Sequence, residues 1–476
     1  MTTTNISNIL KAASASDTQA LRARLSGEIL LPGETAYDEA RKVANLLFDR
    51  APSAIVRVAT TEDVAETVRF ARTNNVPFAV KSGGHSVAGH SNPEGALLID
   101  MSQFKNVNID PAQQIARVQP GANSGELAGP AHAYGLALST GDTSSVGVGG
   151  LTTGGGIGFM VRKFGLAIDN LISVEVVTAD GQVLRASSRE NSDLFWAVRG
   201  GGSNFGIITE FEFKLAKVGA VYGGALVLPA TKEILRAYID YATNAPDDLT
   251  TITNVMHAPP APFIPEDRVG EPVLMILMVW SGKLEDGVKA VQPLRELGEV
   301  IADAVGPMPY PVIYNFTAEA AQPHYGAIRS LFAREFSDES LEAALEALRN
   351  APSPMSMVQF RPFGGAFNRP GANTTAFAHR DAKLMVTALG LWLDPNENRE
   401  TYADWVDGLW TKVRHHQSGV YCNFVANEGA ERVRDAYPGA AYAKLAVVKA
   451  KYDPENVFSF NQNIRPAATQ SAEKAA

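Results

Sequence analysis

A histidine set among glycines and serines is the first residue of this chain with the makings of chemistry. The stretch Val80-Lys81-Ser82-Gly83-Gly84-His85-Ser86-Val87-Ala88-Gly89-His90-Ser91 follows a short apolar run. Its Gly and Ser residues let successive backbone N–H groups converge on an anion with no large side chain in the way. A second block, Thr140-Gly141-Asp142-Thr143-Ser144-Ser145-Val146-Gly147-Val148-Gly149-Gly150, is followed by Gly154-Gly155-Gly156-Ile157-Gly158 and repeats the theme. Of the 41 glycines, 22 fall between Gly83 and Gly206, so this quarter of the chain brings bare backbone close to something large, which reads as a dinucleotide.

The elements around these loops have to aim them. Ile55 to Val58 is apolar, Thr60-Thr61-Glu62-Asp63 carries the hydroxyl-then-acid spacing that opens a helix, and Val64, Val68 and Ala71 recur at helical spacing. Asn74-Asn75 ends that helix and Phe78 to Val80 is the next strand, so a strand, helix, strand unit delivers the loop carrying His85. Further strands are predicted at Ala96–Asp100 and Ile115–Gln119, joined by a turn at Asp110-Pro111, with a helix over Ser124–Tyr134. Ile172–Thr178 and Val183–Ala186 flank Asp180-Gly181 as a hairpin, Ser192 caps a helix through Val198, and Ile207–Phe213 alternates as a half-buried strand.

Beyond residue 217 the texture changes. Strands are expected at 221–228, around 250–257, at 273–280, 355–360 and 384–392, with helices at 231–243, 284–298, 338–349, 399–414 and 427–452. The pattern predicts an α+β chain in five parts. These are an N-terminal helical segment (1–45), a first domain (46–217), a second domain with helices over an antiparallel sheet (218–425), a C-terminal segment (426–466) and a disordered tail (467–476).

With 476 residues, 45% hydrophobic and 20% charged, the chain is long enough for two cores. A net charge of -9 with no basic run argues against nucleic acid. The single Cys422 excludes an intramolecular disulfide. Met1 to Ser16 lacks the pattern of a secretory signal and no run reaches membrane-spanning length, so a cytoplasmic protein without a membrane partner is expected. No H-E-x-x-H or cysteine cluster suggests a metal, and no G-x-G-x-x-G suggests a nicotinamide fold. Gly84-His85-Ser86-Val87-Ala88 approaches a serine-hydrolase elbow around Ser86, yet Gly89 to Pro93 cannot supply the helix that elbow needs.

These loops, together with Gly165-Leu166-Ala167-Ile168-Asp169-Asn170, Arg199-Gly200-Gly201-Gly202-Ser203-Asn204-Phe205-Gly206 and the closing Asn456-Val457-Phe458-Ser459-Phe460-Asn461-Gln462-Asn463-Ile464, resemble the vanillyl-alcohol-oxidase (PCMH-type) FAD-binding fold. Within it the chain is most similar to the berberine-bridge-enzyme-like oxidases, over roughly residues 45–466. The resemblance implies FAD bonded covalently to His85, with Ser82, Gly83, Gly84, Ser86, Gly89, Gly121, Gly141, Asp142, Thr143, Val146, Gly147, Gly150, Gly154, Gly156, Gly158, Ile208, Asn423, Asn461 and Asn463 around it. Thr143 stands where many relatives carry a second flavin-bonding cysteine, which implies a single attachment. Val146 occupies the position beside the flavin where a small side chain goes with molecular oxygen as acceptor.

The resemblance also implies Tyr421, in Val420-Tyr421-Cys422-Asn423-Phe424, as the catalytic base, with its ordinary pKa of about 10 lowered by a nearby cation. Arg369, which replaces a glutamate used by some plant relatives, is one candidate for that cation. Tyr310, Tyr314, His324, Tyr325, His379 and Trp392 are candidates for the substrate pocket. His415-His416 follow a predicted helix and suit its negative end. The implied activity is oxidation of an alcohol, sugar, amine or related C–H by hydride transfer to flavin, with oxygen giving peroxide. The alternatives are a dehydrogenase passing electrons to another acceptor and, from a different class, the hydrolase.

Overall fold

A computed structural model describes residues 15–371 and 373–468. The first 14 residues of the expected N-terminal helical segment and the expected tail from residue 469 lie outside the described residues, while Ala467 donates a backbone hydrogen bond to Ala446.

The helix Thr61–Thr73 begins as its residues dictate. Thr60 Oγ1 accepts from the Asp63 N–H at 3.1 Å and the Asp63 carboxylate accepts from the Thr60 N–H at 3.2 Å, closing a reciprocal cap. Its buried Val64, Val68 and Ala71 pack on a four-stranded sheet in the order Glu28–Leu30, Ala54–Arg57, Leu97–Asp100, Phe78–Lys81, whose last three strands are parallel. The crossover therefore ends with Phe78–Lys81 beside Leu97–Asp100, and the glycine loop leaves from there. A second, antiparallel sheet runs Val107–Asp110, Ile115–Val118, Ile207–Lys214, Leu171–Val177, Val183–Ser187. The Asp180-Gly181 turn joins the last pair in sequence, with Gly181 at φ +77°.

The rest of the chain forms a nine-stranded antiparallel sheet centred on Ala220–Pro229, Pro272–Trp280, Leu249–His257, Met357–Pro362, Leu384–Trp392 and Tyr325–Ala333. One face carries Leu226, Leu274, Ile276, Val358, Phe360 and Val386 against Leu235, Tyr238, Leu341, Leu345 and Leu409 of the covering helices. The other face turns toward the first domain, with Ile252, Met256, Met275 and Leu277 packed among residues that include Phe159 and Met160. The α+β architecture with one helix-covered face is as expected.

Several local expectations are corrected. Val107–Asp110 is a strand that pairs with Ile115–Val118, so the Asp110-Pro111 turn closes a hairpin. Ser192 is the first helical residue, and Asn191, at φ +45°, stands at the cap position. The helix expected over 427–452 is two, Ala430–Ala436 and Ala440–Tyr452, because Pro438-Gly439 interrupts it. Tyr325–Ala333 is a strand the sequence pattern did not disclose.

The returning C-terminal segment is held by one fully buried ion pair. Lys449 Nζ donates to Asp453 Oδ2 at 2.6 Å and to the carbonyls of Asn204 and Phe458 at 2.7 and 2.8 Å, and both side chains have no exposed surface. Removing one partner strands the other charge in the interior. Asp453→Ala is expected to lower unfolding free energy by about 3–5 kcal/mol in urea denaturation, and the paired change Lys449→Met with Asp453→Leu to cost less.

Candidate active site

The loop that follows Phe78–Lys81 and the loop 141–150 meet at bare backbone. A Cβ on Gly83 would lie 2.3 Å from the Gly147 nitrogen, so neither position tolerates a side chain without pushing the loops apart. Gly84 sits at φ +73°, which turns the chain back toward the cavity. The backbone N–H groups from Gly83 to Val87 find no acceptor among the described residues. Gly83 is exposed and His85, Ser86 and Val87 are half-buried on the wall of a cavity, so this run is a donor set open to a group with acceptor oxygens. A Cβ on Gly150 would point into open space, as expected for backbone that borders a bound molecule.

Both loops line a cavity of about 1250 Å³ that opens between them and the uncovered face of the large sheet. That exceeds the roughly 300–1,000 Å³ of an ordinary small-molecule pocket and leaves room for a dinucleotide and a second ligand. Ser82, Gly83, Gly84, His85, Ser86, Gly141, Asp142, Thr143, Val146, Gly147, Gly150, Ile208, Tyr421, Asn423 and Asn461 all reach its wall. Gly89, Gly121, Gly154, Gly156, Gly158 and Asn463, expected beside them, do not. Gly89 backs onto Phe48, Gly121 onto the carbonyls of Met101 and Phe104, and Gly158 onto the Thr140 carbonyl. Gly154 packs on Asn423, Gly156 donates to Tyr421, and Asn463 pairs with Asn456.

His85 shares a hydrogen bond of 2.9 Å between Nε2 and Ser145 Oγ, while Nδ1 has no partner among the described residues. Burial pushes its pKa down to about 4, with nearby His324 acting in the same direction and Asp142 against it, so the ring is neutral at physiological pH. His90, on the same wall, is likewise lowered to about 4 by burial and then by Arg50. Ser86 accepts from the His90 N–H at 3.1 Å and no helix follows it, so the hydrolase geometry does not form.

Tyr421 Oη accepts from the Gly156 N–H and from Asn423 Nδ2, each at 2.9 Å. Burial dominates and raises its pKa well above that of an ordinary phenol, against the lowering expected from the sequence. The cation that opposes this is Arg361. Arg369 instead has 63% of its side chain exposed, pairs with Asp247 and does not reach the cavity. Arg361, which the sequence reasoning missed, is buried on the wall and pairs with Asp142 at 2.5 Å. Its one visible mark in the sequence is a charge among the apolar residues of Met357–Pro362. Cys422, remote in sequence from the loops, also lines the cavity, and burial lifts its thiol to about 11.

Among the other pocket candidates, His324 reaches the wall. Tyr310 and Tyr314 are buried behind it, Tyr314 Oη lying 3.2 Å from Thr140 Oγ1. Tyr325 stacks on Trp392 with ring centres 5.6 Å apart, and His379 Nε2 bonds the Ala436 carbonyl at 3.0 Å beside a separate, smaller cavity. His415 and His416 form the turn after the helix Arg399–Val413. Among the described residues no group of three acidic, His or Cys side chains could hold a metal, and no helix is long and apolar enough to cross a membrane.

Residues 52–187 match the family described as FAD binding domain, and residues 420–465 the one described as berberine and berberine like. The chain is 30% identical to (R)-6-hydroxynicotine oxidase of Paenarthrobacter nicotinovorans over 460 residues, which cover 93% of this chain and 97% of that protein. It belongs to the berberine-bridge-enzyme-like family of FAD-linked oxidases.

The crystal structure of 6-hydroxy-D-nicotine oxidase from Arthrobacter nicotinovorans superimposes with a TM-score of 0.84 at 29% identity, covering 93% of this chain and 98% of that one. Glucooligosaccharide oxidase from Acremonium strictum, whose FAD is 6-S-cysteinyl and 8α-N1-histidyl, gives 0.84 at 26% identity, covering 95% of this chain and all of that one. The orphaned amides, the cavity volume and the glycine loops fit an FAD diphosphate and ring, and this family member is an FAD-dependent oxidoreductase.

His85 and His90 hold their protons less tightly folded, near pH 4, than unfolded, near 6.5. As pH falls, the unfolded chain therefore takes up protons first, and stability declines from about pH 6.5 down to about 4. Melting temperature is expected to drop across that window, and His90→Gln to make the drop shallower.

Proposed function

We propose that FAD is attached through His85 alone and that the enzyme oxidises a C–H next to a hydroxyl or amine, with oxygen as the final acceptor. The observation that carries this reading is the state of His85: neutral, on the cavity wall, with Nε2 engaged by Ser145 and Nδ1 left open. With Nε2 carrying the proton and donating it to Ser145 Oγ, the neutral imidazole has its lone pair at Nδ1 and is a nucleophile there. The Gly83–Val87 amides and the 141–150 loop would hold the diphosphate and ring. Thr143, on the wall, has no thiolate to form a second bond. When bound, FAD supplies hydride acceptance and reoxidation by oxygen, so that substrate H–C–O–H and O2 become C=O and H2O2.

The chain's own work is to orient the substrate and take up its proton. Tyr421 is the group assigned to that proton. The two N–H donors on its oxygen and the Arg361 guanidinium favour negative charge there, while burial keeps the resting phenol protonated. Val146 narrows the wall by only a small side chain, which supports access for oxygen.

Acid precipitation is expected to leave the yellow colour in the pellet, with His85→Ala releasing FAD to the supernatant and Ser145→Ala lowering the covalent fraction. Full release from the unaltered protein would refute the attachment. Because the phenol's pKa is raised, the rate of anaerobic flavin reduction is expected to climb with pH through the alkaline range. Tyr421→Phe should cut that rate by about 10²-fold and abolish the climb, measured by stopped-flow absorbance.

A further inference from the structure

The sheet face opposite the covering helices, which forms the far wall of the cavity, is almost entirely apolar. Ile252 and Met256, Met275 and Leu277, Met357, and Leu389 and Leu391 project from alternate positions of four neighbouring strands. One polar row crosses it. Asn254 faces Gln359 in register, Gln359 Nε2 donates to Asn254 Oδ1 at 2.9 Å, Arg361 Nε donates to Gln359 Oε1 at 2.7 Å, and Arg361 Nη2 donates to Asp142 Oδ2 at 2.5 Å.

Arginine can only donate, and that fixes the direction of the whole row. The Gln359 oxygen must face Arg361, so its amide nitrogen faces Asn254, so the Asn254 oxygen is used and its nitrogen is left over. Asn254 Nδ2 and Arg361 Nη1 have no hydrogen-bond partner among the described residues, and neither is sealed from the cavity. Both amide oxygens of the row are already engaged. Within its apolar surface this wall therefore offers N–H groups and no free amide oxygen.

Taking the cavity as the place where substrate meets FAD, we propose that Asn254 and Arg361 determine substrate class by donating to it. The substrate is an apolar ring system that presents a carbonyl or oxyanion oxygen to this wall. An oligosaccharide brings hydroxyl donors that the methionine and leucine wall leaves unpaired, and an ammonium group finds on this row no acceptor other than the Asp142 carboxylate already held by Arg361.

The test is perturbation of the flavin absorbance band of the purified, flavin-loaded protein by 2-naphthoate, 2-naphthylmethylamine and cellobiose. Naphthoate is expected to bind at least about tenfold more tightly than the amine, and cellobiose to leave the spectrum unchanged. Asn254→Asp keeps the acceptor for Gln359 and replaces the outward donor with an acceptor. It should weaken naphthoate by about tenfold or more, with flavin content as the control for folding. Amine or cellobiose binding as tight as naphthoate, or naphthoate binding unchanged by Asn254→Asp, overturns the inference alone. A yellow protein whose spectrum none of the three probes perturbs overturns it together with the reading of the cavity as the substrate site.

Discussion

Gly83 against Gly147 is the contact on which the site depends. Because a Cβ at either position would collide with the opposite backbone, the two loops can close only as glycine on glycine. That closure brings Ser145 Oγ within 2.9 Å of His85 Nε2 across 60 residues of sequence. It also leaves the Gly83–Val87 amides without an acceptor among the described residues. The strand and helix that precede the loop matter mainly because they place its first residue, and Lys81, buried and bonded to the Ala40 carbonyl, anchors that point from beneath.

The large sheet completes the site by presenting two unlike faces with one set of strands. Side chains alternate, so Phe360 and Val358 enter the helix-covered core while Gln359 and Arg361 face the cavity. A register slip of one residue would exchange the two sets and bury the guanidinium among leucines. The pairing of Thr253 with Phe360 and Asn254 with Gln359 therefore bears on chemistry as much as on stability.

What could be read in advance was whatever the chain encodes locally. The Thr60 and Asp63 cap, the glycine loops and the Asp180-Gly181 hairpin are each contained in a few residues, and each is found where its residues predict. Arg361 was not legible because its meaning comes from Asp142, 219 positions away, and because the strand was expected to stop at residue 360. Arg369 misled for the converse reason, since its place where some plant relatives carry a glutamate suggested a proximity to Tyr421 that the fold does not provide. Tyr325–Ala333 mixes glycine, arginine and serine into its apolar pattern and becomes recognisable as a strand by pairing with Leu384–Trp392.

Burial pushes four side chains of the cavity in one direction. It lowers His85 and His90 and raises Tyr421 and Cys422, so each of these four is driven to its uncharged form. The Arg361 and Asp142 charges stand against each other as an ion pair at 2.5 Å. A wall so arranged has no unpaired deep charge to offer a substrate, and stabilising an ion formed during reaction would fall to N–H dipoles and to a guanidinium already held by a carboxylate. Proton and hydride are then best removed together, so that no full charge ever develops on the substrate. The Gly156 and Asn423 N–H groups aimed at Tyr421 Oη supply such dipoles at the one atom where charge would transiently gather.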